Sequence, residues 1–86
     1  MDAIKILRQN ELPNARALVL LGYFQGVIEM LGREVEEYSV PKGTSLTNTL
    51  LYILMTLSAE ATINPENYDL NRAVILLEKA VRDTAL

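Results

Sequence analysis

Between Pro13 and Pro41, apolar residues recur at Ala17, Leu21, Phe24, Ile28, Leu31, Val35 and Tyr38, in alternating steps of four and three. A helix with 3.6 residues per turn imposes this spacing on a stripe that faces a core. It predicts one helix from about Asn14 to Ser39, with Asn14 as its N-cap. The stretch VPKGTS ends that helix and opens the next, which Thr44 or Ser45 caps. The inward face of this next helix is Leu46, Leu50, Ile53, Leu57 and Ala61.

Asn64-Pro65-Glu66 combines a capping side chain, a proline suited to the first helical position and an acid in the first turn. The last helix is therefore expected to begin either at Pro65 or after Asp69, itself a good cap. Its stripe is Leu70, Val74, Leu77 and Val81, continued by Thr84 or Ala85. Residues 2–9 read as a short helix packed through Ile4 and Leu7, although Ala3 to Leu7 also reads as an extended apolar run. No repeat, low-complexity tract or linker divides the chain, so residues 1–86 are read as a single all-α domain. The expected fold is a small bundle of three long helices plus a short N-terminal one, completed by dimerisation.

Residues 18–32, LVLLGYFQGVIEMLG, raise the question of what surface they touch. A bilayer-spanning helix needs about 20 predominantly apolar residues. This run is shorter, and Gln25 and Glu29 interrupt it. A monomer's amphipathic helix buries one stripe, yet Ala17 to Phe24 is apolar on every side, with Val19 and Tyr23 off the main stripe. Val19, Gly22, Tyr23, Gly26 and Met30 then form a second face. Glycine inside a helix costs about 1 kcal/mol relative to alanine, so two on one side suggest close helix approach. The expectation is a seam between two copies of this helix. The alternative is that the glycines make room for a bulky neighbour within the chain.

Composition narrows the chemistry. A chain of this length buries only about 60–65 per cent of its surface on folding, so a partner's cover helps it. With 50% apolar residues and a net charge of −3, it is too hydrophobic to be disordered. Cysteine and histidine are both absent. Their absence removes disulfides, Cys/His zinc sites, Ser/His triads and the side chain whose ordinary pKa lies near neutrality. The N-terminal MDAIKILRQNELP carries charges at Asp2, Lys5 and Arg8 and does not read as a signal peptide. A cytoplasmic location is expected, and no cofactor or metal is.

Eight dispersed basic residues against eleven acids make no phosphate-tracking surface. The best candidate for a DNA-reading helix, RAVILLEKAVRD, alternates charge sign on its outer face and lacks Asn, Gln or Ser at its reading positions. No specific nucleic-acid partner is expected. Within GREVEEYS, Glu29 with Arg33 and Arg33 with Glu37 stand at the spacing of helical ion pairs. The four tyrosines, spread along the chain, are expected to be buried rings with hydroxyls at the edge.

Glu34-x-x-Glu37 and Glu66-x-x-Asp69 also set acids one turn apart, a spacing that can hold magnesium. Together with a helical hairpin of similar size, this resembles the all-α nucleoside triphosphate pyrophosphatases. That resemblance implies magnesium and substrate phosphates bound by ExxE and ExxD acids. In that family the second pair sits within the helix facing the first. Here the facing helix, SLTNTLLYILMTL, has no acid before Glu60, and Glu66 and Asp69 fall where helix capping accounts for them. The function expected is therefore non-enzymatic: an assembly subunit, adaptor, inhibitor or immunity-type protein that binds itself and another protein. A divergent pyrophosphatase and a small transcriptional regulator are the alternatives.

Overall fold

The computed structural model describes residues 2–85, the side chain of Ala85 excepted. These form four α-helices and no strand: α1 (Ala3–Gln9), α2 (Asn14–Met30), α3 (Leu46–Ile63) and α4 (Tyr68–Ala85). A turn of 3-10 helix at Val35–Tyr38 interrupts the long link between α2 and α3. The all-helical class and the short first helix agree with expectation.

Asp2 starts α1, its Oδ1 accepting the Ile4 N–H at 2.9 Å. Ala3, Ile6 and Leu7 are buried, while Ile4 is half-buried. Ile6 thus takes the inward place that the sequence reading assigned to Ile4. Ser45 caps α3, accepting from the Asn48 N–H at 3.1 Å. Thr44 is instead used in the preceding turn, its hydroxyl donating to the Pro41 carbonyl at 2.6 Å.

Three helix ends differ from expectation. Asn14 is the first residue of α2 rather than its cap; Pro13 holds the cap position with no side-chain bond. What fixes this start is tertiary: Leu12 is buried, and its N–H donates to the Oγ1 of buried Thr47 on α3 at 2.9 Å. The last helix begins at neither Pro65 nor Asp69. Asn64 ends α3, Pro65 and Glu66 lie in a tight turn, and the Asn67 Oδ1 accepts the Leu70 N–H at 3.1 Å. Asn67 therefore does the capping and leaves Asp69 inside the first turn.

The largest difference is at the end of α2, which stops at Met30 rather than Ser39. Gly32 turns into the left-handed region at φ 76°. Its N–H bonds the Glu29 carbonyl at 2.9 Å, and the Arg33 N–H reaches back to the Ile28 carbonyl at 3.2 Å. This pair of reversed bonds, with glycine in left-handed geometry, is the Schellman ending, and it satisfies carbonyls the helix would otherwise leave open. Val35 and Tyr38 still pack on the core, but from the separate 3-10 turn.

Ending α2 there changes the topology. Leu12, just before α2, bonds Thr47 at the start of α3, and Arg33, just after α2, bonds Glu60 near its end. α2 and α3 therefore run parallel, and residues 31–45 return along the bundle. The short link at residues 64–67 makes α4 antiparallel to α3, hence to α2. α3 and α4 pack on each other, and α1 and α2 each pack on both.

The core joins Leu20, Phe24, Val27 and Ile28 of α2 to Leu50, Leu54 and Leu57 of α3 and to Leu70, Leu77 and Val81 of α4. α3 is the one described helix long and apolar enough by composition to cross a membrane, and in this fold the other three helices pack around it. Leu21 and Leu31, expected on the α2 stripe, are half-buried. Packing against both α3 and α4 brings Leu20 and Val27 inward as well.

Candidate functional site: the outer face of the second helix

Packing on α3 and α4 fixes which side of α2 is covered, and the opposite side carries the residues singled out from sequence. At 100° per residue, Val19, Gly22, Tyr23, Gly26 and Met30 span about 100° of the circumference. All five are exposed: Val19 to 69%, Tyr23 to 43% and Met30 to 81% of their full surface. Leu18, 56% exposed, extends the strip on one side. With about 150–250 Å² for a large side chain, the strip leaves roughly 500 Å² uncovered, at the size that marks interaction surfaces on monomers.

Nothing in the chain packs over the two glycines. A Cβ built on Gly22 or Gly26 meets nothing within 4 Å. The alternative that they make room for a bulky intrachain neighbour is thereby excluded; the open side of the helix lies over both.

Beside this strip, the end of α2 and the beginning of α4 enclose a groove of about 360 Å³. Val27, Met30 and Leu31 form one wall, and Tyr68, Asp69, Arg72, Ala73 and Leu76 the other. Met30 belongs to both strip and groove, so the two are one surface. Beyond the groove α4 exposes a strip of its own, with Tyr68 70% and Ile75 61% exposed. Sequence reasoning passed over this second strip because Tyr68 and Ile75 stand off the inward stripe of a helix that is otherwise amphipathic. Their seven-residue separation, on one helical face, was the signal.

Charges are arranged differently from the helical pairs read in GREVEEYS. Because α2 ends before it, Arg33 pairs with neither Glu29 nor Glu37. Its guanidinium grips the Glu60 carboxylate with both terminal nitrogens, one at 2.8 Å, and donates to the Tyr38 hydroxyl at 2.9 Å. This grip holds the Glu60 carboxyl below the usual carboxylate range. The second ion pair among the described residues is Lys79–Asp83, on the surface of α4. Tyr38 is the tyrosine that matches expectation, buried with a bonded hydroxyl; Tyr23, Tyr52 and Tyr68 are exposed.

The acids that resemble a magnesium motif are not held as two facing helical pairs. Glu34 is extended, its N–H donating to the Glu37 Oε1 at 3.4 Å, and Glu66 lies in the turn before α4. Among the described residues no group of three or more acids is placed to hold a metal ion. No protein-family model, curated protein or solved structure matches the chain.

Proposed function

We propose that this chain is a non-enzymatic interaction protein that works by binding macromolecules through the outer face of α2, and that its first partner is a second copy of itself. The observation that carries this reading is the uncovered strip from Val19 to Met30, whose two glycines have no neighbour in their own chain. A helix interior that tolerates two glycines forgoes about 2 kcal/mol of helix propensity. Close approach of another helix to bare backbone offsets that loss. The site offers no nucleophile and base in contact, and the groove beside it is walled mainly by aliphatic side chains. The lack of cysteine fits the reducing cytoplasm as its setting.

Sedimentation equilibrium from about 1 to 100 micromolar tests the reading. A dimer or larger assembly is expected within that range. A monomer throughout it overturns self-association. Saturable magnesium binding by calorimetry, with pyrophosphate released from a nucleoside triphosphate and both lost in Glu37→Gln, overturns the non-enzymatic part.

A further inference from the structure

Resting on that self-association reading, we infer that the second copy covers the α2 strip with its α4, not its α2, through Glu29 of each copy bound to Arg72 of the other. The two-fold axis then lies parallel to the helices, and four helices, α2 and α4 from each copy, pack two on two around it.

Area gives the first argument. A stable interface buries about 800 Å² on each partner. The α2 strip, at roughly 500 Å², falls short alone. The α4 strip of Tyr68, Arg72 and Ile75 adds roughly 300–400 Å², and the groove joins the two. A two-fold axis along the bundle covers both strips on both copies at once. A seam of α2 against α2 leaves Tyr68 and Ile75 to solvent unless α4 meets α4, which gives Glu29 no cation from the other copy's α4.

Charge supplies the second. Glu29 lies in the last turn of α2 and Arg72 in the second turn of α4, and among the described residues neither has an ion-pair partner. Glu29 is also at the wrong end of its own helix, where the dipole disfavours an acid. It does not meet Arg72 within the chain, because Met30 and Val27 form the flank of α2 turned to α4.

Register joins these. The groove sets Val27 to Leu31 beside Tyr68 to Leu76; with α2 and α4 antiparallel, matching the middles of the two walls puts Glu29 at about the level of Arg72 and Gly26 at about that of Ile75. An axis parallel to the helices preserves these levels between copies. The partner's Arg72 then faces Glu29, and the partner's Ile75 rests on the bare backbone at Gly26. The antiparallel neighbours also bring the negative end of α2 beside the positive end of the partner's α4.

Charge exchange tests this. Glu29→Arg and Arg72→Glu are each expected to raise the dimer dissociation constant at least tenfold in sedimentation. The double variant, which restores the pair with signs exchanged, is expected to recover most of the affinity. Circular dichroism confirms that each exposed-site variant keeps its helicity. Because the chain has no cysteine, single cysteines report the geometry separately. Mixing Glu29→Cys with Arg72→Cys should give a mixed disulfide dimer in mild oxidant, faster than either protein cross-links with itself. A wild type that dimerises while the double variant stays as weak as the singles, or while Gly26→Cys cross-links to itself faster than the mixed pair forms, overturns this arrangement and leaves self-association standing. A monomeric wild type removes both.

Discussion

Alanine at Gly22 and Gly26 separates what the chain needs for folding from what it offers a partner. In a helix interior, alanine is favoured over glycine by about 0.8–1.0 kcal/mol, chiefly because glycine gives up more backbone freedom on folding. That gain is realised only where the new methyl meets no obstruction, and at both positions a Cβ meets nothing within 4 Å. The double variant should therefore stabilise the unassembled chain by about 1.5–2 kcal/mol. For a domain of this size 1 kcal/mol moves the melting temperature by about 4–8 °C, so the expected rise is roughly 6–16 °C. Thermal and urea unfolding followed by circular dichroism measures it, at concentrations where sedimentation shows single chains. Each single variant should give about half the effect. Gly26→Leu should keep the gain in the single chain and lose assembly, since its side chain occupies the space assigned to a partner helix. Destabilisation of the dissociated chain by either alanine would refute the argument, because it would place a neighbour over a glycine where the structure has none.

Gly32→Ala should have the opposite sign to Gly26→Ala, costing about 1–2 kcal/mol in urea unfolding, because Gly32 holds a left-handed φ of 76°. Thr47→Val should cost about 1–3 kcal/mol in the same assay, since the near-isosteric side chain leaves the buried Leu12 N–H without its acceptor. Arg33 lowers the Glu60 pKa from its ordinary 4.5, so the pair's contribution is complete above that value and disappears as pH falls through the lowered one. Urea midpoints from pH 7 to pH 2.5 should therefore fall less in Glu60→Gln than in wild type; equal acid slopes would refute the coupling.

The stripes of α3 and α4 were readable because each helix buries one continuous face. Leu50, Ile53, Leu57 and Ala61 on α3, and Leu70, Val74, Leu77 and Val81 on α4, are all buried. What was not readable depends on contacts between distant residues. Thr47 reads as a polar position near a helix start, and only the returning Leu12 explains its burial. Arg33 has acids at helical spacing on both sides and binds neither, because Glu60, 27 residues away, is the carboxylate that the fold brings to it. The α2 face was legible as an excess of apolar residues, whereas the matching strip on α4 was hidden by a strong amphipathic pattern.

Gly32 shows why periodicity failed where it mattered most. Leu31, Val35 and Tyr38 keep the four-and-three spacing across it, and all three do pack against the core. A stripe records which residues turn inward; it does not record whether the backbone between them remains helical. Had α2 continued to Ser39, the short link VPKGTS would have reversed the chain at once and laid α3 antiparallel to it. With the helix closed at Met30, residues 31–45 carry the chain back along the bundle, and α3 starts beside the start of α2. The last turn of α2 is then left at the same end as the first turns of α4. That placement brings Met30 to Tyr68 and Arg72 around one groove and sets two apolar strips side by side. The glycine that ends the helix thus determines which surfaces the molecule has to offer.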